Sequence, residues 1–295
     1  MNTDVLIIGA GPAGLQAAIH AAKRKADTVV IGKEMGSALF EAKIENYFGL
    51  AGVTKGADLL ATGQEQAESA GAKVIRQNAT SARQEDGSFA VVLESGTEIR
   101  ARAVILATGI TRKKLNIPGE AEFLGRGVSY CATCDCSFHR DVPVVIAGDE
   151  SEAAVSAELM TKYASTVYWA SDSRDVDDAL MEKTVAAGVR ILDTTIAEIV
   201  GTEKVTAVRM ADGTEIEAKG VFIELGGKSS ADLAMDLGIL PEIDDTLKVS
   251  PDCATEIEGV FACGDVTGKP WQLAKAVGQG AVAGLSAAEY AKSGR

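Results

Sequence analysis

The sequence predicts an α/β protein of two three-layer domains with parallel sheets, the second inserted in the first. Three observations predict it. The chain opens on a strand, a glycine loop, a helix and a second strand; the same plan recurs about 137 residues further on. The third is size: 295 residues with 46% hydrophobic content suffice for two cores at about 150 residues per domain, and exclude a disordered chain.

The elements read in order. Val5-Leu6-Ile7-Ile8 is an apolar run of strand length, followed by a glycine loop, an alanine-rich helix from about Leu15 to Lys25, and the β-branched strand Thr28-Val29-Val30-Ile31. The second unit repeats this with Val142 to Ile146, a helical stretch from Ser151 to Tyr163, and Thr166-Val167-Tyr168-Trp169. Ile105-Leu106-Ala107-Thr108-Gly109 and Gly259-Val260-Phe261-Ala262-Cys263-Gly264-Asp265 are further buried-strand patterns ending in small residues. The expected boundaries are 1–115 with 244–295 for the first domain and 116–243 for the second. The joins, Asn116-Ile117-Pro118-Gly119 and Glu242 to Thr246, are short and suit hinges.

Lys and Arg number 29 against 42 Asp and Glu, a net charge of −13. Such a surface repels phosphate backbones and anionic lipid, so neither nucleic acid nor a membrane is an expected partner. Met1-Asn2-Thr3-Asp4 lacks the basic start of an export signal and no window approaches a membrane span, so the expected location is cytoplasmic. There the five cysteines are reduced at rest, and a close pair points to catalysis or metal binding. The charge is uneven: residues 116–243 hold 10 basic and 23 acidic side chains, the remainder 19 of each.

Gly9-Ala10-Gly11-Pro12-Ala13-Gly14 fits G-x-G-x-x-G between a strand and a helix, the setting of a dinucleotide site in a Rossmann-like domain. Gly9 permits the tight turn, Gly11 lets a pyrophosphate approach the main chain, and Gly14 lets helix and strand pack; the helix N-terminus then offers its N–H groups to the anion. Cys131-Ala132-Thr133-Cys134-Asp135-Cys136 is the second motif. At a helix start, residues i and i+3 share a face, so Cys131 and Cys134 can close a disulfide, and the helix N-terminus lowers thiol pKa. Zinc would need four ligands, and one CxxC with only His20 and His139 does not supply them, so no metal is expected. Cys136, Cys253 and Cys263 read first as packed small hydrophobes, although Cys136 is close enough to Cys134 to be an oxidisable neighbour.

Together these segments resemble the low-molecular-weight, bacterial-type thioredoxin reductases over nearly the whole chain. Ile105 to Gly109 and Gly259 to Asp265 resemble the family's A-T-G and G-x-F-A-x-G-D flavin signatures. Glu45-Asn46-Tyr47-Phe48-Gly49 resembles its E-N-x-x-G segment, Gln272-Leu273-Ala274 its Q-A stretch beside the flavin ring, and C-A-T-C-D its active site. The resemblance implies FAD, held by Gly9, Gly11, Pro12, Ala13, Gly14, Asn46, Thr108, Gly109, Gly264, Asp265, Gln272, Leu273 and Ala274, with Asp265 on the ribityl chain. It also implies that Cys131 exchanges with the disulfide of a thioredoxin-like protein, that Cys134 faces the flavin, and that Asp135 protonates the leaving thiolate. A homodimer and rotation of the two domains are implied as well.

The sequence departs from the family at Cys136, where the family usually has glycine, and in two segments of the second domain. Aligned from Val144, the second loop reads Gly148-Asp149-Glu150-Ser151-Glu152-Ala153, with Glu150 where a second glycine must admit phosphate. Two like charges about 4 Å apart repel by about 4 kcal/mol at an effective dielectric of about 20, enough to erase useful affinity. The arginine run that holds a 2′-phosphate is replaced by Ala170 to Asp178, in which four acids surround Arg174. The expected reductant is therefore not NADPH but another donor such as reduced ferredoxin. NADH docking through Asp172, and a flavin and thiol sensor without turnover, are the alternatives.

Overall fold

A computed structural model of the chain describes residues 1–85, 87–109, 114–242 and 244–293. Seven α-helices lie among the described residues: α1 (Pro12–Lys23), α2 (Gly56–Ser69), α3 (Ala132–Asp135), α4 (Ser151–Met160), α5 (Asp178–Ala186), α6 (Ser230–Asp236) and α7 (Leu273–Lys292). The chain divides into two units, one of Met1–Leu93, Thr97–Thr111 and Lys228–Arg295, the other of Glu94–Gly96 and Arg112–Gly227.

In the first unit Asn2–Ile8 pairs in parallel with Thr28–Ile31 on one side and Glu98–Leu106 on the other. Lys73–Ile75 and Val260–Ala262 extend the two sides, also in parallel. Ser88–Leu93 and Ala79–Glu85 add an antiparallel meander. The Val5 to Ile8 run is apolar throughout because both faces are covered: Val5 and Ile7 pack among α1, α2 and α7, while Leu6 and Ile8 pack with Leu233, Ala234 and Leu237 of the α6 segment. α1 starts at Pro12, ahead of the expected Leu15, because proline suits a first turn; it stops at Lys23, before Lys25 turns left-handed at φ 60°.

The second unit repeats the plan. Its parallel sheet runs Arg190–Leu192, Thr166–Ala170, Pro143–Ala147, Gly220–Ile223, Val128–Ser129. Ile146, Trp169 and Phe222 bury one face with α4; Val145 and Val221 bury the other with Ile199 and Val208 of an antiparallel meander, Ile196–Gly201, Val205–Met210 and Glu215–Glu217.

The second unit ends at Gly227, not at 243, because α6 places its apolar residues in the first unit's core. The charge division changes with it: 12 basic and 21 acidic residues in the second unit against 17 and 21 in the first, or −9 and −4. Of the expected hinges, Asn116 is left-handed at φ 56°, and the Pro118 carbonyl accepts the Ile199 N–H at 2.9 Å, anchoring that join within the second unit. Glu242 donates its N–H to the Thr246 carbonyl at 2.8 Å; Ile243 between them lies outside the described residues. No helix among the described residues is long and apolar enough to cross a membrane.

α7 lies against α1 through glycines. A Cβ at Gly280 would stand 2.2 Å from the Ala13 carbonyl oxygen, and one at Gly284 2.2 Å from that of Ala17, whereas Gly278 on the same helix meets nothing within 4 Å. Gly284→Ala is expected to cost about 1–3 kcal/mol by overpacking, and Gly278→Ala to stabilise by up to about 1 kcal/mol through helix propensity. Opposite shifts of the urea midpoint in the two variants check this; a stabilised Gly284→Ala would contradict the contact.

Candidate active site

The first glycine loop forms a cradle whose three glycines are required for different reasons. Gly9 holds φ +119°, and a Cβ there would lie 2.4 Å from the Ala107 carbonyl oxygen; at Gly14 it would lie 1.9 Å from that of Gly9. At Gly11 it would meet only Ser37, at 3.4 Å, so that side stays open to a ligand. Gly11 is the N-cap of α1, with no side chain capping it and no acid in the first turn, which leaves the first-turn amides and the helix dipole available to an anion. Of the other predicted contributors from this unit, Thr108 and Gly264 lie by the loop. Gly9 lies against the Ala107–Thr108 peptide, and Gly264, at φ +83°, would bring a Cβ to 2.8 Å from Ala13 Cβ. Thr108 donates its N–H to Ser230 Oγ at 3.2 Å, and Gly109 is left-handed at φ 74°. Asn46 Nδ2 donates to Gln272 Oε1 at 3.4 Å, joining the exposed 41–55 ribbon to the residue that caps α7; Leu273 and Ala274 form its first turn.

Asp265 follows the strand Val260–Ala262 on a turn held from α7. Gln279 Oε1 accepts from the Gly264 N–H at 3.1 Å and from Thr267 Oγ1 at 2.8 Å, and Lys275 Nζ donates to the carbonyls of Gly264 and Gly268. Burial raises the Asp265 carboxyl above its ordinary pKa against the pull of Lys275, and burial lowers that of Lys275. Desolvated groups of this kind favour a ligand able to supply hydrogen bonds.

Glu34 was missed by the sequence reading. It follows the strand Thr28–Ile31 and lies twenty residues after Gly14, the spacing at which an acid takes a ribose hydroxyl. Its Oε1 pairs with Arg76 at 2.9 Å, while its Oε2 is buried without a hydrogen-bond partner. The spacing rule could have found it. An open glycine cradle, an acid with an unused oxygen and the half-buried Asp265 fit FAD.

In the second unit Cys131 and Cys134 form a disulfide, with Cα atoms 5.3 Å apart. The expected helix is only the four residues of α3, continued by a 3₁₀ turn Cys136–His139. Cys131 caps it, its Sγ accepting the Cys134 N–H at 3.2 Å. With the disulfide closed, Cys131 is buried and Cys134 exposed. Asp135 is half-buried, its carbonyl 3.2 Å from His139 Nδ1. Cys136 is buried, its thiol on the Thr133 carbonyl. Burial raises the pKa of both Cys253 and Cys263, which leaves them poor nucleophiles and suits packing. No cluster suited to a metal occurs among the described residues.

The second loop resembles the first at its N-cap and differs in chemistry and at its first glycine, since Gly148 lacks the positive φ of Gly9. Glu150 is the N-cap of α4 as Gly11 is of α1. The Glu152 N–H, in the first turn of α4, donates to the Gly226 carbonyl at 3.2 Å, and the Asp149 carbonyl accepts the Asp175 N–H at 2.7 Å. Arg174 lies over the Trp169 ring at 5.1 Å and donates to Asp193 and to the Leu192 carbonyl, both at 2.8 Å, so its terminal nitrogens are engaged within the unit, while its Nε is buried without a partner.

The pyridine nucleotide-disulphide oxidoreductase family model matches residues 3–280. A thioredoxin reductase of Aquifex aeolicus is 37% identical over 275 residues, covering 89% of this chain and 85% of its own length. The atypical thioredoxin reductase TRi of Desulfovibrio vulgaris Hildenborough superposes with a TM-score of 0.80 at 36% identity, covering 98% of both chains. A ferredoxin-flavin thioredoxin reductase of Clostridium acetobutylicum superposes with a TM-score of 0.67 at 35% identity, covering 98% of this chain and 97% of its own. The chain belongs to the pyridine nucleotide-disulphide oxidoreductase family, as an FAD-binding disulfide oxidoreductase of the thioredoxin reductase type.

Proposed function

We propose that this protein reduces the disulfide of a thioredoxin-like partner and takes its electrons from a low-potential carrier such as reduced ferredoxin, not from NADPH. The closed second loop carries the reading: at the α4 N-terminus a glutamate replaces the glycine that admits phosphate, and a first-turn amide is spent on Gly226. The unit's charge of −9 and the committed Arg174 add to the case against a dinucleotide with a 2′-phosphate. Likeness to a ferredoxin-flavin thioredoxin reductase supports the choice of donor.

In this reading Gly9, Gly11 and the first turn of α1 hold the pyrophosphate, Glu34 a ribose, Asp265 the ribityl chain, and Asn46 and Gln272 the ring. Bound FAD supplies a redox centre that can accept electrons from a carrier and deliver a pair to a disulfide. Cys134, the exposed half, faces the flavin; Cys131 attacks the partner, and Asp135 protonates the thiolate that leaves.

Under anaerobic conditions, reduced ferredoxin supplying two electrons for the disulfide and two for the flavin is expected to bleach the flavin band while NADPH leaves it unchanged. Rapid bleaching by NADPH would refute the donor assignment, and bleaching by NADH alone would favour docking through Asp172. Glu34→Gln is expected to weaken FAD binding about tenfold or more, as loss of a hydrogen bond to a charged group does. Fluorescence titration of the stripped protein with FAD reads this, and an unchanged constant would remove Glu34 from the site.

A further inference from the structure

Two buried carboxylates bond the residues that flank Cys131 in sequence. On one side the Tyr130 hydroxyl donates to Glu120 Oε1 at 2.7 Å, and the same carboxylate accepts the N–H groups of Leu115 and Ile117 at 3.1 and 3.3 Å. On the other side the Ala132 N–H donates to Glu224 Oε1 at 2.7 Å. Glu120 is 3% exposed and Glu224 6%. The main chain of Glu224 is fixed: its N–H donates to the Ala147 carbonyl at 2.8 Å, and its own carbonyl oxygen would lie 2.0 Å from a Cβ at Gly148. The strand Gly220–Ile223 therefore delivers this carboxylate to the peptide that joins Cys131 to Ala132.

We propose that Glu224 is a positioning residue for the redox pair: its carboxylate fixes the Cys131–Ala132 peptide, and its charge makes Cys131 a weaker acid once the disulfide opens. A nearby negative charge disfavours a thiolate, and a more basic thiolate is the stronger nucleophile toward a disulfide. The exchange it serves is balanced. The Cys131 thiolate bonds to one partner sulfur while the other leaves and takes a proton; the Cys134 thiolate then bonds to Cys131, releasing the first partner sulfur. The chain's pair gives up two electrons and the partner's disulfide takes two.

Other titratable groups surround the pair. Asp135 and Cys136 share its turn, His139 meets the Asp135 carbonyl, Tyr130 and Glu120 stand before it, and α4, packed on α3, brings Glu152 in its first turn. The burial of Tyr130 and its bond to Glu120 push its pKa up to about 12, so the phenol stays neutral through the range in which a thiol titrates. The inference rests on Cys131–Cys134 being the working dithiol and is independent of the donor.

The test uses the FAD-loaded protein on a Cys134→Ser background, which leaves Cys131 a free thiol. Iodoacetamide alkylation at Cys131 is followed by mass spectrometry as a function of pH. Glu224→Gln and Glu224→Ala, both neutral, are each expected to lower the midpoint by about one pH unit, and Glu224→Asp, which keeps the charge, to stay near the parent. A neutral variant that still holds FAD and shows an unchanged or raised midpoint overturns the proposal. Failure of the donor assignment would show in the flavin titration and leave these midpoints unaffected.

Discussion

The closeness of α7 to α1 is the constraint on which the first unit depends. At Gly280 and Gly284 the two helices meet main chain to main chain, and any Cβ would have to retreat by more than an ångström to reach ordinary contact. That approach places the last part of the chain on the helix that begins at the glycine loop. Gln279 and Lys275, one turn apart on α7, then hold the Gly264 to Gly268 turn and set Asp265, while Gln272 at the head of α7 meets Asn46. One helix pair thus ties together segments from the first glycine loop to the head of α7. Because the two ends of the chain close this unit together, a second unit can be inserted between them with its own core.

The two units share a strand-loop-helix and differ in what its helix N-terminus can accept. Gly11 and Glu150 are both N-caps with extended backbone, although Gly9 holds a positive φ that Gly148 does not; the chemical difference does not rest on the backbone of the cap. It lies in the side chain and in the amides. The first loop leaves its first turn without an acid or a side-chain cap, whereas the second puts Glu152 into the turn and uses its amide on Gly226. The first turn of α4 thus carries the chain's own carboxylate and spends an amide on the chain's own carbonyl, and the carboxylate interacts favourably with the helix dipole. The core of the second unit ties this loop down, the buried Trp169 donating its Nε1–H to the Gly148 carbonyl at 2.7 Å.

Features set by local spacing were legible in the sequence. The G-x-G-x-x-G loop reads directly because each glycine answers a contact within a few residues or to the neighbouring strand, and Cys131 and Cys134 read as a pair because one helical turn joins them. The extent of the second unit was not legible: residues 228–242 follow its last parallel strand in sequence, and only tertiary packing of Leu233, Ala234 and Leu237 assigns them to the first core. The assignment of all the negative charge to the second unit failed partly for that reason and partly because that unit takes up residues before 116. Glu34 was accessible through its distance from Gly14, but Glu224 carries no such signal. It ends an ordinary apolar strand, and its partner Ala132 is 92 residues away.

The shortness of α3 explains why the dithiol needs anchors on both sides. A helix of four residues has no stability of its own, since nucleation costs more than one turn of hydrogen bonds returns. While the disulfide is closed, the bond itself holds the turn; when it opens, two side chains and the turn regain freedom that would blur the position of both sulfurs. Ser129 Oγ accepts the Cys131 N–H at 3.0 Å, Glu224 takes the next amide, and Glu120 holds the preceding tyrosine. Three successive residues are thus held by hydrogen bonds to groups that are not part of the disulfide, Glu224 among them next to a strand paired in the unit's sheet. Anchors of this kind limit the freedom that an opened pair would regain, and holding reacting atoms in place is what repeated opening and closing of a disulfide requires.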